Sequence, residues 1–101
     1  MQLSFEQLQA FLTTVETGSF SAAARKLGKA QSSISGLISN LEIDAGFEVF
    51  DRSKRNARLT EKGGELLDYA KDLLERRDYL LERVSAREVL VRRFRLGVTE
   101  L

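Results

Sequence analysis

The feature that most narrows what this chain can fold into is residues 19–42, SFSAAARKLGKAQSSISGLISNLE, where two stretches of helical periodicity meet at one glycine, Gly28. Ser19 or Ser21 can cap a short alanine-rich helix running to about residue 27, and its Ala23, Ala24 and Leu27 let another helix approach closely. Gly28 stops that helix. A further one starts near Gln31 and runs to about residue 45, with Ile34, Leu37, Ile38 and Leu41 as its inward stripe and Gly46 as its C-cap.

The outward side of this helix carries Ser32, Ser35, Gly36, Ser39 and Asn40. A helix face chosen for stability and solubility carries Glu, Lys and Gln, because Ser, Gly and Asn are poorer helix formers. Small side chains let a helix sink into the major groove of DNA, where hydroxyl and amide groups exchange hydrogen bonds with base edges and the helix N-terminus points at a phosphate. Two helices joined by a glycine turn, the second with such a face, predict a helix-turn-helix. The bland alternative is an ordinary helical pair.

Before this unit, Phe5, Leu8, Phe11, Leu12 and Val15 recur at three and four, and Ser4 is a plausible N-cap, so residues 5–16 are expected as an amphipathic helix ended by Gly18. After it, FEVFDR and ARLT are short and β-favouring, separated by the basic SKRN, which predicts a small hairpin. From Thr60, a good N-cap, a long amphipathic helix follows with Leu66, Leu67, Ala70, Leu73, Leu74, Leu80, Leu81 and Val84, its stripe interrupted by Arg77. About 28 residues at 1.5 Å each reach roughly 42 Å, more than a domain of this size can cover. That stripe calls for a partner helix, although its first turns are expected to touch the small domain. Gly63 and Gly64 in its first turn are costly to a helix.

Composition enters as an exclusion. With no cysteine and no histidine in 101 residues, disulfides, thiol nucleophiles, imidazole bases and nearly all zinc or iron sites are ruled out, and no carboxylate pair stands in a recognisable catalytic setting. An enzyme is therefore the least expected class, and no cofactor is expected. No run approaches eighteen apolar residues and the start lacks a signal-peptide pattern, so the expected place is the cytoplasm. The net charge of +1 conceals a segregation: Arg25, Lys26 and Lys29 form one patch without acids, and Arg52, Lys54, Arg55 and Arg58 another. A nearly neutral protein can in this way present one basic face to phosphate, though a solvated charged surface gives the same count.

From residue 8 to residue 63 the chain resembles the N-terminal DNA-binding region of LysR-type transcriptional regulators: LQAFLTTVETGSFSAAARKL, QSSISGLISNLE and GFEVFDRSKRNARLTEKG carry the likeness. Phe11, Gly18-Ser19-Phe20, Ala23-Ala24, Leu27, Gln31, Ser35, Ile38, Leu41-Glu42, Gly46, Phe50, Arg52, Leu59-Thr60 and Gly63 all fall in register. The chain departs from the family pattern at Lys29, Ala30, Ser32 and Gly36, which stand for an apolar turn residue, a serine, a proline and a longer polar reader.

The resemblance implies a mainly α, bacterial, winged helix-turn-helix domain at 1–59, a linker and dimerisation helix at 60–88, and at 89–101 the start of a missing effector-binding domain. Phe94, Leu96 and Val98 are expected as that domain's first strand. It further implies binding of a partly palindromic double-stranded DNA operator by a homodimer, with a higher oligomer in a full-length protein and a small-molecule effector held only by the absent domain. No membrane partner is implied. On that footing Gln31, Ser32, Ser35 and Gly36 are expected near bases, and Ser33, Ser39, Arg52, Lys54, Arg55 and Arg58 near phosphates. Leu66, Ala70, Leu73, Leu74, Leu80, Leu81 and Val84 are expected in the dimer contact. The competing reading is a helix-mediated interaction module that has lost specific DNA reading; the basic wing and the serine face are what such a module has no reason to keep.

Overall fold

The computed structural model describes residues 2–53 and 57–100, with side chains through residue 85. Four helices follow one another: α1 (Phe5–Thr17), α2 (Phe20–Leu27), α3 (Gln31–Ala45) and α4 (Glu61–Glu100). The Ser4 hydroxyl accepts from the Gln7 N–H at 3.1 Å while the Gln7 side chain accepts from the Ser4 N–H at 3.0 Å, a reciprocal cap that fixes the start of α1. Of the two candidate caps for α2, Ser19 is the one used, accepting from the Ala22 N–H at 3.1 Å. Gly28 ends α2 at φ 65°, a left-handed conformation open to glycine at little cost, and the turn is closed by the Lys29 N–H donating to the Ala24 carbonyl at 2.9 Å.

The core is where these helices meet. Leu8, Ala10 and Phe11 of α1, Ala23 and Ala24 of α2, and Ile34, Ile38 and Leu41 of α3 are buried together with Val49 and Phe50. Leu37 packs at the margin of that core. Phe50 is the pin: its ring meets Phe11 at 5.5 Å and Phe20 at 5.7 Å between centroids, both edge-on, so the segment after α3 is clamped to α1 and α2. Phe5 is the exception on α1, about half exposed and stacked beneath the Arg77 guanidinium of α4.

The expected hairpin is reduced, among the described residues, to one antiparallel bridge between Phe50 and Leu59. It is flanked by the Asp51 N–H donating to the Arg58 carbonyl at 2.7 Å and the Thr60 N–H donating to the Val49 carbonyl at 3.0 Å. Burial of Val49 and Phe50 holds the base of this wing. Lys54 and Arg55 lie outside the described residues.

Thr60 fastens α4 to the wing in two directions, its hydroxyl donating to the Glu48 carbonyl at 2.7 Å and accepting from the Gly63 N–H at 2.9 Å. Leu67, Ala70 and Leu74 then lie in the core against α1. The backbone stays helical to Glu100, where Phe94, Leu96 and Val98 were expected as a strand. A strand needs neighbours to satisfy its edges, and residues 86–96 hold four Arg and two Leu, which favour helix.

Candidate nucleic-acid interface

α2 packs against α3, with Ala23, Ala24, Ile34 and Ile38 buried in the core they share, and this burial decides which side of α3 faces out. Gln31, Ser32, Ser33, Gly36, Ser39 and Asn40 are exposed, and Ser35 is half-buried at the edge of the same face. A Cβ added at Gly36 meets nothing within 4 Å, so the glycine there is not demanded by packing inside this chain. The helix begins without a side-chain cap, because Ala30 stands at the N-cap position. The Ala30 carbonyl accepts from the Ser33 and Ile34 N–H groups at 3.0 and 3.2 Å, while helix geometry gives the N–H groups before them no acceptor. The open end of α3 thus presents N–H donors and the positive end of the helix dipole beside the polar face.

The two basic patches differ in how their charges are held. Arg25, Lys26 and Lys29 are exposed at the end of α2 and in the turn, with Lys29 paired to Glu6 at 3.2 Å. Arg58 is exposed on the wing. Arg52, expected near phosphate, is first engaged by the protein: its guanidinium pairs with Glu42 at 2.5 Å and lies 5.9 Å from the centre of the Phe20 ring. The other Glu42 oxygen accepts the Val49 N–H at 2.8 Å, so this one carboxylate joins α3 to the base of the wing and orients it. The resemblance placed Glu42 in register without giving it a role; an acid near the end of a serine-rich helix, ten residues before an arginine, was the available signal.

On α4 the residues expected in a dimer contact divide. Ala70 and Leu74 are 0% and 5% exposed and belong to this chain's own core, which corrects their assignment to a partner: α1 takes that seam. Leu66 is half-buried beside them. Leu73, Leu80, Leu81 and Val84 stay exposed, and Tyr69, which the sequence reading passed over, is 70% exposed on the same side as Leu73 and Leu80. Among the described residues there is no group of acidic side chains placed to hold a metal ion, and no helix long and apolar enough to cross a membrane.

Three helices with a bridged wing, a polar outward face on the third helix and a helix leaving the domain define a winged helix-turn-helix module. A family described as bacterial regulatory helix-turn-helix protein, lysR family, matches residues 5–64, and the chain belongs to it. The HTH-type transcriptional regulator AceR of Acinetobacter baumannii is 46% identical over 74 residues, 73% of this chain and 25% of AceR. The chain thus spans about a quarter of the length of the curated relatives it matches. Among solved structures, the complex of the BenM DNA-binding domain with catB site 1 DNA superposes with a TM-score of 0.79 at 32% identity, covering 82% of this chain and 93% of that one. The CbnR DNA-binding domain in complex with DNA gives 0.77 at 33% identity, covering 83% and 97%.

Proposed function

We propose that this chain is the DNA-binding and dimerisation module of a LysR-type transcriptional regulator acting in the bacterial cytoplasm, not an enzyme. It binds a partly palindromic operator as a homodimer. The observation that carries this reading is the outward face of α3, small, polar and exposed from Gln31 to Asn40, opening at an uncapped N-terminus. Gln31, Ser32, Ser35 and the bare backbone at Gly36 meet base edges; Ser33, Ser39, Lys54, Arg55 and Arg58 meet phosphate. Arg52 contributes by holding the wing to α3 through Glu42, with its remaining donors free to reach the backbone of DNA. Leu73, Leu80, Leu81 and Val84 close the dimer, and a small-molecule effector acts only through a domain beyond this module. The DNA complexes of BenM and CbnR support the reading.

The test is selection from a random duplex pool, followed by titration of the selected site and a scrambled one between about 50 and 200 mM salt. A steep loss of affinity with salt and a preference for the selected site are expected. A flat salt response, or equal affinity for both duplexes, overturns the reading in favour of a helix-mediated interaction module.

A further inference from the structure

Each basic patch has one cation held by an acid, and the two holds differ in kind. Arg52 is held by Glu42, whose side chain is only 12% exposed and whose second oxygen accepts the Val49 N–H, so that pair is part of the architecture. Lys29 is held by Glu6 of α1 at 3.2 Å, and the Glu6 side chain is 60% exposed. Among the described residues Lys29 is the only group that the Glu6 carboxylate meets. A place in the first turn of α1 favours an acid there through the helix dipole, but it does not call for a lysine opposite. Arg25 and Lys26, the other cations of this patch, are exposed and have no ion pair among the described residues. The cation that stands closest in sequence to the polar face of α3, two residues before Gln31, is therefore the one tied back. Its backbone is fixed in the turn by the Lys29 N–H donating to the Ala24 carbonyl at 2.9 Å, so the flexible four-carbon stem alone decides where the ammonium goes. Lys29 is also a departure from the family pattern, which makes the pair this chain's own.

We propose that Glu6 holds Lys29 back from the DNA backbone, so that the module binds DNA more weakly, and with a shallower salt dependence, than its cations alone would give. This rests on the DNA-binding reading above and adds to it a residue of α1 that sets the affinity. One ammonium has two claimants, the Glu6 carboxylate and a phosphate beside the groove that α3 enters. To serve the phosphate it must leave Glu6 or share itself, and a Glu6 left bare repels the same phosphate. An exposed ion pair of this kind is worth up to about fivefold in an equilibrium, enough to keep the ammonium at home most of the time and too little to lock it there. Charge acting on phosphate carries no base information, so the restraint applies to every sequence alike and leaves the readout by the serine face untouched. Glu6 thereby lowers the sequence-independent part of binding, the part that holds a regulator on DNA other than its operator.

The test is a titration of the selected and scrambled duplexes with the parent, Glu6→Gln, Lys29→Gln and the double variant, between about 50 and 200 mM salt. For each protomer bound, Glu6→Gln is expected to gain about three- to fivefold in affinity at the low end, equally on both duplexes, and to steepen the salt slope by about 0.9, the value of one added phosphate contact. Over that fourfold range of salt such a slope takes away about threefold, so parent and variant come close to parity at the high end. With Lys29→Gln already in place, Glu6→Gln is expected to leave the slope unchanged and to gain less than twofold. Circular dichroism checks that each variant keeps its fold, as it should with both residues on the surface. A role confined to the dipole of α1 moves the melting temperature and leaves the salt slope where it was. Affinity that falls in Glu6→Gln, a gain of the same size with and without Lys29, or a gain confined to the selected duplex overturns the proposal while the DNA-binding reading stands. A parent whose binding ignores salt overturns that reading itself, and the role of Glu6 with it.

Discussion

Gly63 and Gly64 stand side by side in the first turn of α4, and the structure separates them sharply enough to give opposite predictions for one substitution. A Cβ built on Gly63 lies 2.2 Å from the Val49 carbonyl oxygen and 2.9 Å from its carbon, whereas one built on Gly64 meets nothing within 4 Å. An ordinary carbon–oxygen contact is about 3.3 Å, so Gly63→Ala must drive α4 and the wing apart by about 1 Å. That same carbonyl accepts the Thr60 N–H at 3.0 Å, and the Thr60 hydroxyl caps Gly63, so the displacement strains the junction that joins wing to helix. Overpacking of about 1–3 kcal/mol and a weakened hydrogen bond of about 1 kcal/mol outweigh a helix-propensity gain of at most about 1 kcal/mol, leaving Gly63→Ala about 2 kcal/mol less stable. Gly64→Ala has only the gain and is expected to be stabilised by up to about 1 kcal/mol. For a domain of this size the two variants should melt about 10 °C or more apart, measured by circular dichroism at one fixed protein concentration so that the dimer contribution is equal. If Gly63→Ala melts at or above Gly64→Ala, the close approach at Val49 is not what the structure says it is.

Other expectations follow from the same geometry. Ala30→Ser should add the missing cap to α3 and raise stability by about 1 kcal/mol in urea unfolding. Gly36→Ala should also stabilise by about 1 kcal/mol, having open space around it, while changing the order of preference among selected DNA sites. Glu42→Ala leaves the buried Val49 N–H without an acceptor and should cost about 1–3 kcal/mol in chemical unfolding, whereas Glu42→Gln, which keeps an acceptor, should cost distinctly less. The pair Leu73→Glu, Leu81→Glu should give a monomer by sedimentation that loses affinity for a two-half-site duplex far more than for a single half-site.

The helices were legible because each is bounded by short-range chemistry. Ser4, Ser19, Gly18, Gly28 and Gly46 act on their immediate neighbours, and the observed ends fall at or beside them. The outward face of α3 was legible for the same reason, since periodicity alone fixes it once Ile34, Ile38 and Leu41 are inside. What escaped depends on contacts between elements far apart in sequence. Among the described residues the wing holds one bridge, Phe50 to Leu59, at a base set by the burial of Val49 and Phe50 against helices distant in sequence. Glu42 joins Arg52 and Val49 across a turn whose geometry no local pattern specifies. Gly63 looked like a liability within its helix, and its reason is a carbonyl 14 residues earlier. The seam on α4 was misassigned at Ala70 and Leu74 because a wide apolar stripe shows that two surfaces are covered without showing which residues go to which.

That division of α4 has a consequence for how the domain meets DNA. One seam, Leu67, Ala70 and Leu74, is fixed against α1, and the first turn is fixed to the wing through Thr60 and the close approach at Gly63. The neighbouring seam, Tyr69, Leu73 and Leu80, is left outward on the same rigid rod. Since α1 also packs on α3, if two copies pair along α4 as proposed, a change in how they meet is carried through α1 to the α3 faces. A slip of one residue along the pair moves a domain about 1.5 Å along the rod, and the helical twist of about 100° per residue takes the contact seam out of line unless whole turns are slipped. The pairing therefore has few discrete settings, and each fixes one separation and one relative rotation of the two α3 faces. In a homodimer built this way, half-site spacing is determined by the residues on the exposed seam of α4, far from any base.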